Sequence, residues 1–199
     1  MSTAQNKTNL NRAKQRKQTY GRYLPALELK QQQLLEERRK TEDAMASAAA
    51  EVAALKQRVY AQLPMLAAEG IALEGLVSIR TLVIVEENVV GVLLPVIQTL
   101  ELERQAYGFL ARPHWVDALA DHWENMLQLQ LTLDLQRRRM QLLEAAVRKV
   151  TQRVNLFSKV LIPAAQNDIH RIGIFLADQD RAAVVRSKIA KQRLRDSST

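Results

Sequence analysis

The sequence predicts a mainly α-helical protein: a long antiparallel two-helix coiled coil with a short central β-hairpin and small connecting helices. Three observations support this fold class. Gly and Pro are scarce, with six and five among 199 residues, about half the usual share, so turns are few. Apolar residues recur at alternating spacings of three and four in both halves of the chain, and a β-branched stretch separates the two patterns. A β-sandwich, a barrel or a doubly wound sheet would need more turn residues.

The first long helix is predicted over residues 8–62. Its heptad pattern runs from Leu10 to Gln62 and is sustained enough to indicate a coiled coil rather than an ordinary surface helix. The second long helix is predicted over residues 113–178 and opens at Pro113, where the missing N–H of proline costs nothing.

The heptad pattern of the second helix slips by one residue past Leu161, which predicts local unwinding of the supercoil. A basic tail is expected at 179–199, and the whole chain, 1–199, is expected to form one elongated domain.

The central segment, residues 63–112, is predicted to hold a β-hairpin at about 76–100. Its strands are the β-branched runs Leu76–Val85 and Val92–Leu100, joined by a loop of about five residues. That loop contains Glu87, Asn88 and Gly91. Pro95 is expected at a position that donates no ladder hydrogen bond.

Pro25 and Pro163 lie inside the helical patterns, where each removes a backbone hydrogen bond and is expected to kink its helix. We expect antiparallel partners whose numbers sum to about 188. This register would place the two prolines at one level and Leu55 opposite Leu133.

The leucines from Leu127 to Leu135 occupy every second position, which by period alone indicates a strand. We retain the helix because the heptad pattern continues on both sides of them. In a helix these leucines form a face wider than one coiled-coil seam, so we expect them to contact a second body besides the first helix.

The net charge of +8 is unevenly distributed. Residues 1–40 hold ten basic and three acidic groups, residues 41–136 hold five and thirteen, and residues 137–199 hold fourteen and five. Folding the ends together would give a basic pole and an acidic middle. Three interpretations of the basic residues remain open: a solvated face of the coiled coil, a contact with a surrounding acidic protein, and a nucleic-acid partner. No aromatic residues alternate with the basic ones, as binding of single-stranded nucleic acids would favour.

No catalytic, cofactor or metal site is predicted. The chain has no Cys and no pair of His four residues apart; its histidines are His114, His122 and His170. Gly70 and Gly75 have the spacing of a phosphate-binding loop but lack the Lys and Ser or Thr that should follow.

The pairs Glu86 with Glu87 and Glu101 with Glu103 are better explained as exposed surface charge than as catalytic carboxylates. The longest apolar run, Val92 to Ile97, is interrupted by Pro95 and is far shorter than the ~18 residues of a membrane span. No signal-peptide apolar region follows the N-terminus, so we expect a soluble chain.

One C-terminal pattern is distinctive. Its core consists of Arg153, Val154, Asn155, Leu161, Ile162 and Pro163, followed by isoleucines and a basic tail. Together with the basic first helix, the central hairpin and the motif that opens the second helix at Pro113, Trp115, Val116 and Asp117, it resembles the D subunit of the V-type (vacuolar and archaeal-type) ATPases and ATP synthases, bacterial branch.

The resemblance implies a non-catalytic central rotor shaft that couples ATP hydrolysis or synthesis to proton or sodium transport. It implies three partners: the hexamer of catalytic and regulatory subunits, the small F subunit of the central stalk, and a funnel-shaped subunit joined to the membrane rotor ring. It also implies a cytoplasmic location, peripheral to the membrane and without direct insertion, and no cofactor.

The resemblance allows two surfaces to be assigned. The basic pole is expected to face the hexamer and comprises Arg12, Arg16, Lys17, Arg186, Lys188, Lys191, Arg193 and Arg195. The partner-subunit face is expected to bind the F subunit and comprises Leu127, Leu131, Leu135, Ile84 and Val92.

Two alternatives belong to another functional class. A basic coiled-coil adaptor for RNA or DNA would bind with an affinity that falls steeply with salt. A free-standing homodimeric scaffold would explain the heptads but not the central β segment.

Overall fold

A computed structural model describes residues 5–63, 75–104 and 115–196. The elements are α1 (Lys7–Gln62), β1 (Val77–Val89), β2 (Val92–Arg104), α2 (Trp115–Asn155), a π-helical turn (Leu156–Leu161) and α3 (Ile162–Asp196). The predicted fold class of long helices around one antiparallel hairpin is confirmed. The expected small connecting helices and the helix start at Pro113 lie outside the described residues.

The chain divides into two compact units. The hairpin unit spans Gln32–Arg148 and contains β1 and β2. The terminal unit combines the chain up to Gln31 with the chain from Lys149 onward.

A heptad seam holds the hairpin unit together. Every seventh residue of α1 from Leu34 to Leu55 is buried, and α2 contributes the buried Leu133 and Leu143. The one polar member, Thr41, donates its hydroxyl to the carbonyl oxygen of Glu37 at 2.9 Å, so its burial leaves the hydroxyl satisfied. The predicted heptad positions therefore do form the helix interface here.

The register within the hairpin unit differs from the expected one. Leu55 lines a cleft with Leu129, and Gln62 Oε1 lies 2.9 Å from His122 Nε2. The expectation that Leu55 would face Leu133 is therefore wrong by about one helical turn. Apolar seam positions recur every three or four residues, so registers that differ by about one turn bring similar apolar side chains together, and polar contacts select among them.

In the terminal unit, α1 packs against the π-helical turn and its flanks. The rings of Tyr20 and Phe157 meet edge to face, with centroids 5.5 Å apart. Gln31 donates its Nε2 hydrogen to Thr151 Oγ1 at 2.8 Å. Small and branched side chains, Ala13 and Ile172 among them, are buried in this unit.

The two prolines are not level with each other. Leu161 and Ala164, which flank Pro163, line a cleft with Arg16 and Tyr20. Pro163 therefore lies more than one helical turn from the level of Pro25, so the expected match is wrong. Pro25 lies within the continuous helix α1.

The π-helical turn absorbs the phase slip that the sequence places near Leu161. The Ile162 N–H donates to the Phe157 carbonyl oxygen, a bond that spans five residues and gives this turn one extra residue. The Ser158 hydroxyl donates to the Val154 carbonyl oxygen at 2.8 Å. Pro163 follows directly and cannot donate, so the irregular turn lies where the α-helical ladder would be broken in any case.

The hairpin is longer and its turn tighter than expected. Val89 pairs with Val92, leaving a two-residue turn at Val90 and Gly91 rather than a loop of about five. Both turn residues have positive φ, 54° at Val90 and 76° at Gly91, as a twist-matched hairpin turn requires. Val90 is a β-branched residue in a region that such residues rarely adopt, which explains why the sequence did not reveal this turn.

Two residues near the turn are informative: Asn88 stabilises the turn, and Pro95 lies at the predicted kind of position. Asn88 Oδ1 accepts a hydrogen bond from the Gly91 N–H at 2.8 Å. Pro95 pairs with Glu86, which by alternation from the closing pair is a position without ladder hydrogen bonds. The expectation for Pro95 is confirmed.

The base of the hairpin is anchored in an apolar cluster. Leu76, Val77, Trp115, Val116, Leu119, Ala120 and Leu63 are buried together, with Val59, Leu102 and Leu127 packed against them. The cluster joins the end of α1, both strands and the start of α2, so it fixes where the hairpin leaves the helices.

A charged clamp reinforces this anchor. Arg104, the last residue of β2, donates to both carboxylate oxygens of Glu124, with Nη2 to Oε2 at 2.8 Å, and also to Asp121. The hydrogen bond from Arg104 lowers the pKa of Glu124 below its ordinary value of 4.5. Its bonds to Glu124 and Asp121 raise the pKa of Arg104.

The last helix extends further than expected. The second long helix was predicted to end at Asp178 and to be followed by a basic tail, but α3 continues to Asp196. No helix among the described residues contains a stretch long and apolar enough to cross a membrane.

Adjacent leucines of α1 test the seam. Leu34 is fully buried, whereas Leu35 is 38% exposed. We expect Leu34→Ala to lower the free energy of unfolding by about 2–5 kcal/mol, because it removes apolar contacts and leaves a cavity. Leu35→Ala should cost less than about 1 kcal/mol. Urea unfolding followed by circular dichroism would measure both, and equal losses would contradict the assigned seam.

The Arg104 clamp predicts a pH-dependent contribution to stability. Because the pKa of Glu124 is lowered on folding, its contribution is complete above the unfolded value and is lost as the pH falls through the folded value. Glu124→Gln should therefore lower the melting temperature at pH 7 and make little difference in acid. Since Arg104 is 44% exposed, we expect less than about 1 kcal/mol. Glu103→Gln, which removes an exposed carboxylate outside the clamp, is the control. If the melting-temperature loss caused by Glu124→Gln grew as the pH fell, the clamp would be contradicted.

Candidate interaction surfaces

An apolar cleft lies between the hairpin and α2, within the hairpin unit. Leu82, Ile84, Pro95 and Ile97 line it from the strands, and Leu131, Asp134, Leu135 and Arg138 line it from the helix. Its volume is about 240 Å³. Part of the second body expected beside the leucine face is therefore the hairpin of the same chain.

The residues of the expected partner-subunit face are only partly brought together. Leu131, Leu135 and Ile84 share this cleft. Leu127 packs instead against the apolar cluster at the hairpin base, and Val92 is half-buried beside the turn. The alternation of leucines does lie in a helix, with Leu133 buried in the seam and Leu131 on the hairpin side.

The basic residues near the N-terminus lie on α1 in the terminal unit. Arg12, Arg16 and Lys17 are all exposed. Arg16 lines a cleft of about 100 Å³ with Asp168 of α3. We call Arg12, Arg16 and Lys17 the α1 cluster, and this cleft places the cluster beside the first turns of α3.

The C-terminal basic residues lie on an exposed segment of α3. Every residue from Ala177 to Asp196 is exposed, and we call this segment the C-terminal extension. It carries Arg186, Lys188, Lys191, Arg193 and Arg195. Its apolar side chains are also exposed, from 48% at Ile189 to 70% at Leu194.

The two basic groups do not lie side by side. Arg16 is beside Asp168, and Arg186 is eighteen residues further along the helix, about 27 Å at 1.5 Å per residue. The pole expected from the sequence is thus two successive clusters in the terminal unit rather than one patch.

The residues of the C-terminal motif bracket the π-helical turn. Arg153, Val154 and Asn155 end α2, and Leu161, Ile162 and Pro163 complete the turn and begin α3. No residue of the turn itself is buried. The motif therefore coincides with the one irregular stretch of helix among the described residues.

The most important contacts that sequence reasoning missed are the Arg104 clamp and the pairing of Gln62 with His122. Arg104 precedes its partners Asp121 and Glu124 by 17 and 20 residues, and nothing in local spacing links them. The two acids are three residues apart on one helix face, which is the only signal that could have suggested a shared cation.

The histidines and acidic side chains considered in the sequence analysis are dispersed among the described residues. Among them, no three His, Asp or Glu side chains come together in a potential metal site. His122 bonds Gln62, His170 is exposed and His114 lies outside the described residues. Glu86, Glu87, Glu101 and Glu103 are exposed on the hairpin, with Glu101 accepting a hydrogen bond from Thr81 at 3.0 Å.

Comparison with known proteins identifies the family. A model of the family described as the D subunit of ATP synthase matches residues 9–192. The V-type ATP synthase D subunit of Borreliella burgdorferi is 35% identical over 188 residues, covering 94% of this chain and 93% of its own length. That of Chlamydia muridarum is 33% identical over 193 residues, covering 94% of each chain. Both the length and the identity of these matches show that the chain belongs to the family of ATP synthase D subunits.

Proposed function

We propose that this chain is the central rotor shaft of a V-type ATP synthase or ATPase. Membership of the D-subunit family makes it a component of that complex. In the proposed role it transmits torque between the catalytic hexamer and the membrane rotor ring, coupling ATP hydrolysis or synthesis to proton or sodium transport. The shaft is non-catalytic and binds no cofactor.

The observation that carries the proposal is the buried heptad seam between α1 and α2. A shaft must resist twisting, and interlocked side chains repeating along two antiparallel helices resist sliding and unwinding. Leu34 and Leu143 are fully buried. A seam of this kind supports a mechanical role, because it stiffens the pair of helices along its length.

The C-terminal extension supports insertion into the hexamer. Its apolar and basic side chains are exposed along its whole length, so they are available to a surrounding protein. Screened charge contacts contribute about 0–1 kcal/mol each, and weak contacts allow the surrounding subunits to exchange as the shaft turns. We assign the α1 cluster, Arg12, Arg16 and Lys17, to the same hexamer-facing region.

The cleft at Leu131, Leu135 and Ile84 supports a site for the F subunit. It is apolar, open and adjacent to exposed residues of the hairpin. The hairpin covers one part of the leucine face, and a partner bound in this cleft would cover the rest. The funnel-shaped subunit would join the complex to the membrane ring, and the whole assembly would hold this chain on the cytoplasmic side, peripheral to the membrane.

Direct observation of rotation tests the rotor role. A bead can be attached through Glu87→Cys, an exposed hairpin position in a chain without native cysteine. With the hexamer fixed to a surface, we expect ATP to drive one-directional rotation of the bead. A bead that stays still while the same complexes hydrolyse ATP would refute the rotor role.

Charge reversal tests the C-terminal extension. Changing Arg186, Lys188, Lys191 and Arg193 to Glu should remove about 0.5 kcal/mol per contact, or about thirtyfold in affinity for the hexamer over the four. Isothermal titration of the chain into the hexamer would measure it. The control reverses four exposed basic residues elsewhere, namely Arg22, Arg39, Lys56 and Lys149. Equal losses for both sets would contradict the assignment.

A further inference from the structure

The terminal unit holds the residues that weaken the long helices. Gly21 and Pro25 lie inside α1, and Pro163 and Gly173 lie inside α3. All four belong to the terminal unit, as does the π-helical turn. The helical segments of the hairpin unit contain neither Gly nor Pro. Because both residues are unfavourable in a helix interior, the helix pair is least rigid in the terminal unit.

Each helix of this unit also lacks a backbone hydrogen bond. In α1, Pro25 has no N–H to donate to the carbonyl oxygen of Gly21, four residues earlier. In the π-helical turn the bonds span five residues, and Pro163 has no hydrogen with which to continue this pattern to the carbonyl oxygen of Ser158. The helical ladder is therefore interrupted once in each helix.

These two interruptions lie at the same level of the helix pair. The rings of Tyr20 and Phe157 meet with centroids 5.5 Å apart. Gly21 directly follows Tyr20 along the chain, and Ser158 directly follows Phe157. Since one residue advances about 1.5 Å along a helix, both carbonyl groups lie within about one turn of the aromatic contact. At this level neither helix has a complete ladder with which to support the other.

The buried core is interrupted at that level as well. No residue of α1 from 14 to 31 is buried, and no residue of the opposite helix from 151 to 164 is buried. Burial resumes at Ala13 and Ala165 on one side and at Val150 on the other. Local opening costs least where few apolar side chains are buried, so the aromatic contact lies in the weakest part of this unit.

The seam of the second helix does not require the π-helical turn. Its apolar positions alternate in steps of three and four up to Leu161 and resume one residue late, at Ala165, Ile169 and Ile172. Removing one residue from the turn would restore the alternation and allow ordinary α-helical bonding through it. The turn contains no buried residue. The extra residue therefore loosens the helix without adding a buried side chain.

We propose that these features form a joint at which the helix pair of the terminal unit bends. The joint comprises residues 21–25 of α1 and residues 156–163 opposite them, and the contact of Tyr20 with Phe157 is its pivot. Bending there inclines the tip of the unit, including the C-terminal extension, while the buried side chains on either side keep their contacts. The joint goes beyond the proposed rotor function and does not depend on it.

Paired spin labels on the full chain, which has no native cysteine, measure the bending. Gln152→Cys with Ile174→Cys spans the joint, and both residues are exposed at positions between seam residues. Labels on this outer face lie off the axis of the helix pair, so bending changes the distance between them. A bend of 20° moves labels about 15 Å off the axis by about 5 Å relative to each other. We expect pulsed electron resonance to give a distance distribution wider than the control by about that amount.

Glu36→Cys with Gln57→Cys is the matched control pair. Both residues are exposed on the outer face of α1 in the hairpin unit. They are three heptads apart, as are Gln152 and Ile174 once the extra residue of the turn is set aside, so both distances are about 32 Å. A distribution across the joint that is as narrow as this control would overturn the proposal.

Restoring the helical ladder should stiffen the joint. Gly21→Ala with Pro25→Ala returns an N–H and a better helix former to α1, and deletion of Lys159 returns the turn to α-helical spacing. We expect the three changes together to narrow the distribution to the width of the control pair. The α1 changes alone should narrow it in part, because they remove one of the two interruptions, and no narrowing would contradict the joint.

Gly173→Ala is the control for helix strengthening. At Gly173, as at Gly21, an added Cβ would contact no neighbouring atom within 4 Å, so both changes improve the helix without a clash. Because Gly173 lies outside the joint, we expect its replacement to leave the width unchanged. If Gly173→Ala narrowed the distribution as much as the α1 changes, the helix would be loose along its length rather than at one level, and the proposal would be wrong.

Discussion

Every seventh residue of α1 from Leu34 to Leu55 is buried against α2, and the rest of the hairpin unit depends on that contact. An isolated helix with such a narrow apolar stripe is marginal in water, so neither helix is expected to be stable without the other. The pairing also decides which side chains remain outside. Once Leu133 enters the seam, Leu131 and Leu135 must lie on another side of α2, where the hairpin meets them.

The hairpin depends on the helices in a similar way. Two strands alone are marginally stable in water, and this pair gains its support from the cluster around Trp115 and from Arg104. Nearer the turn, Ile84, Pro95 and Ile97 share a cleft with Leu131 and Leu135 of α2, and Leu94 is fully buried. The strained turn itself is held by the ladder and by Asn88.

The sequence predicts the existence and type of the main elements because hydrophobic period is a strong signal over long segments. It correctly predicts that two long helical patterns flank one β-hairpin and that Pro95 lies at a position without a ladder hydrogen bond. It does not determine the register, because heptad repeats are equivalent until polar partners such as Gln62 and His122 distinguish them. It misses the tight turn because Val90 is a poor residue for positive φ, and the extent of α3 because an exposed basic helix has no apolar stripe to mark its end.

The candidate surfaces were harder to predict for a related reason. Residues such as Leu127 and Leu131 share one face of a predicted helix, but which of them the chain itself covers depends on where the hairpin turns back. The basic residues of the α1 cluster and of the C-terminal extension are exposed. The distance between the α1 cluster and the basic residues of the C-terminal extension depends on α3 continuing as a helix past Asp178. Charge patterning cannot reveal that continuation.

The distance along the chain between paired helices sets an order for folding. His122 meets Gln62 across 60 residues, whereas Thr151 meets Gln31 across 120. Closing the shorter loop costs less conformational entropy, so we expect contacts to form first near the cluster of Leu63 and Trp115 and to spread toward the chain ends. During synthesis, α1 emerges complete while the residues that bury its seam have yet to be made. For that interval its seam leucines stay in contact with water, and α1 gains no stability from helix pairing.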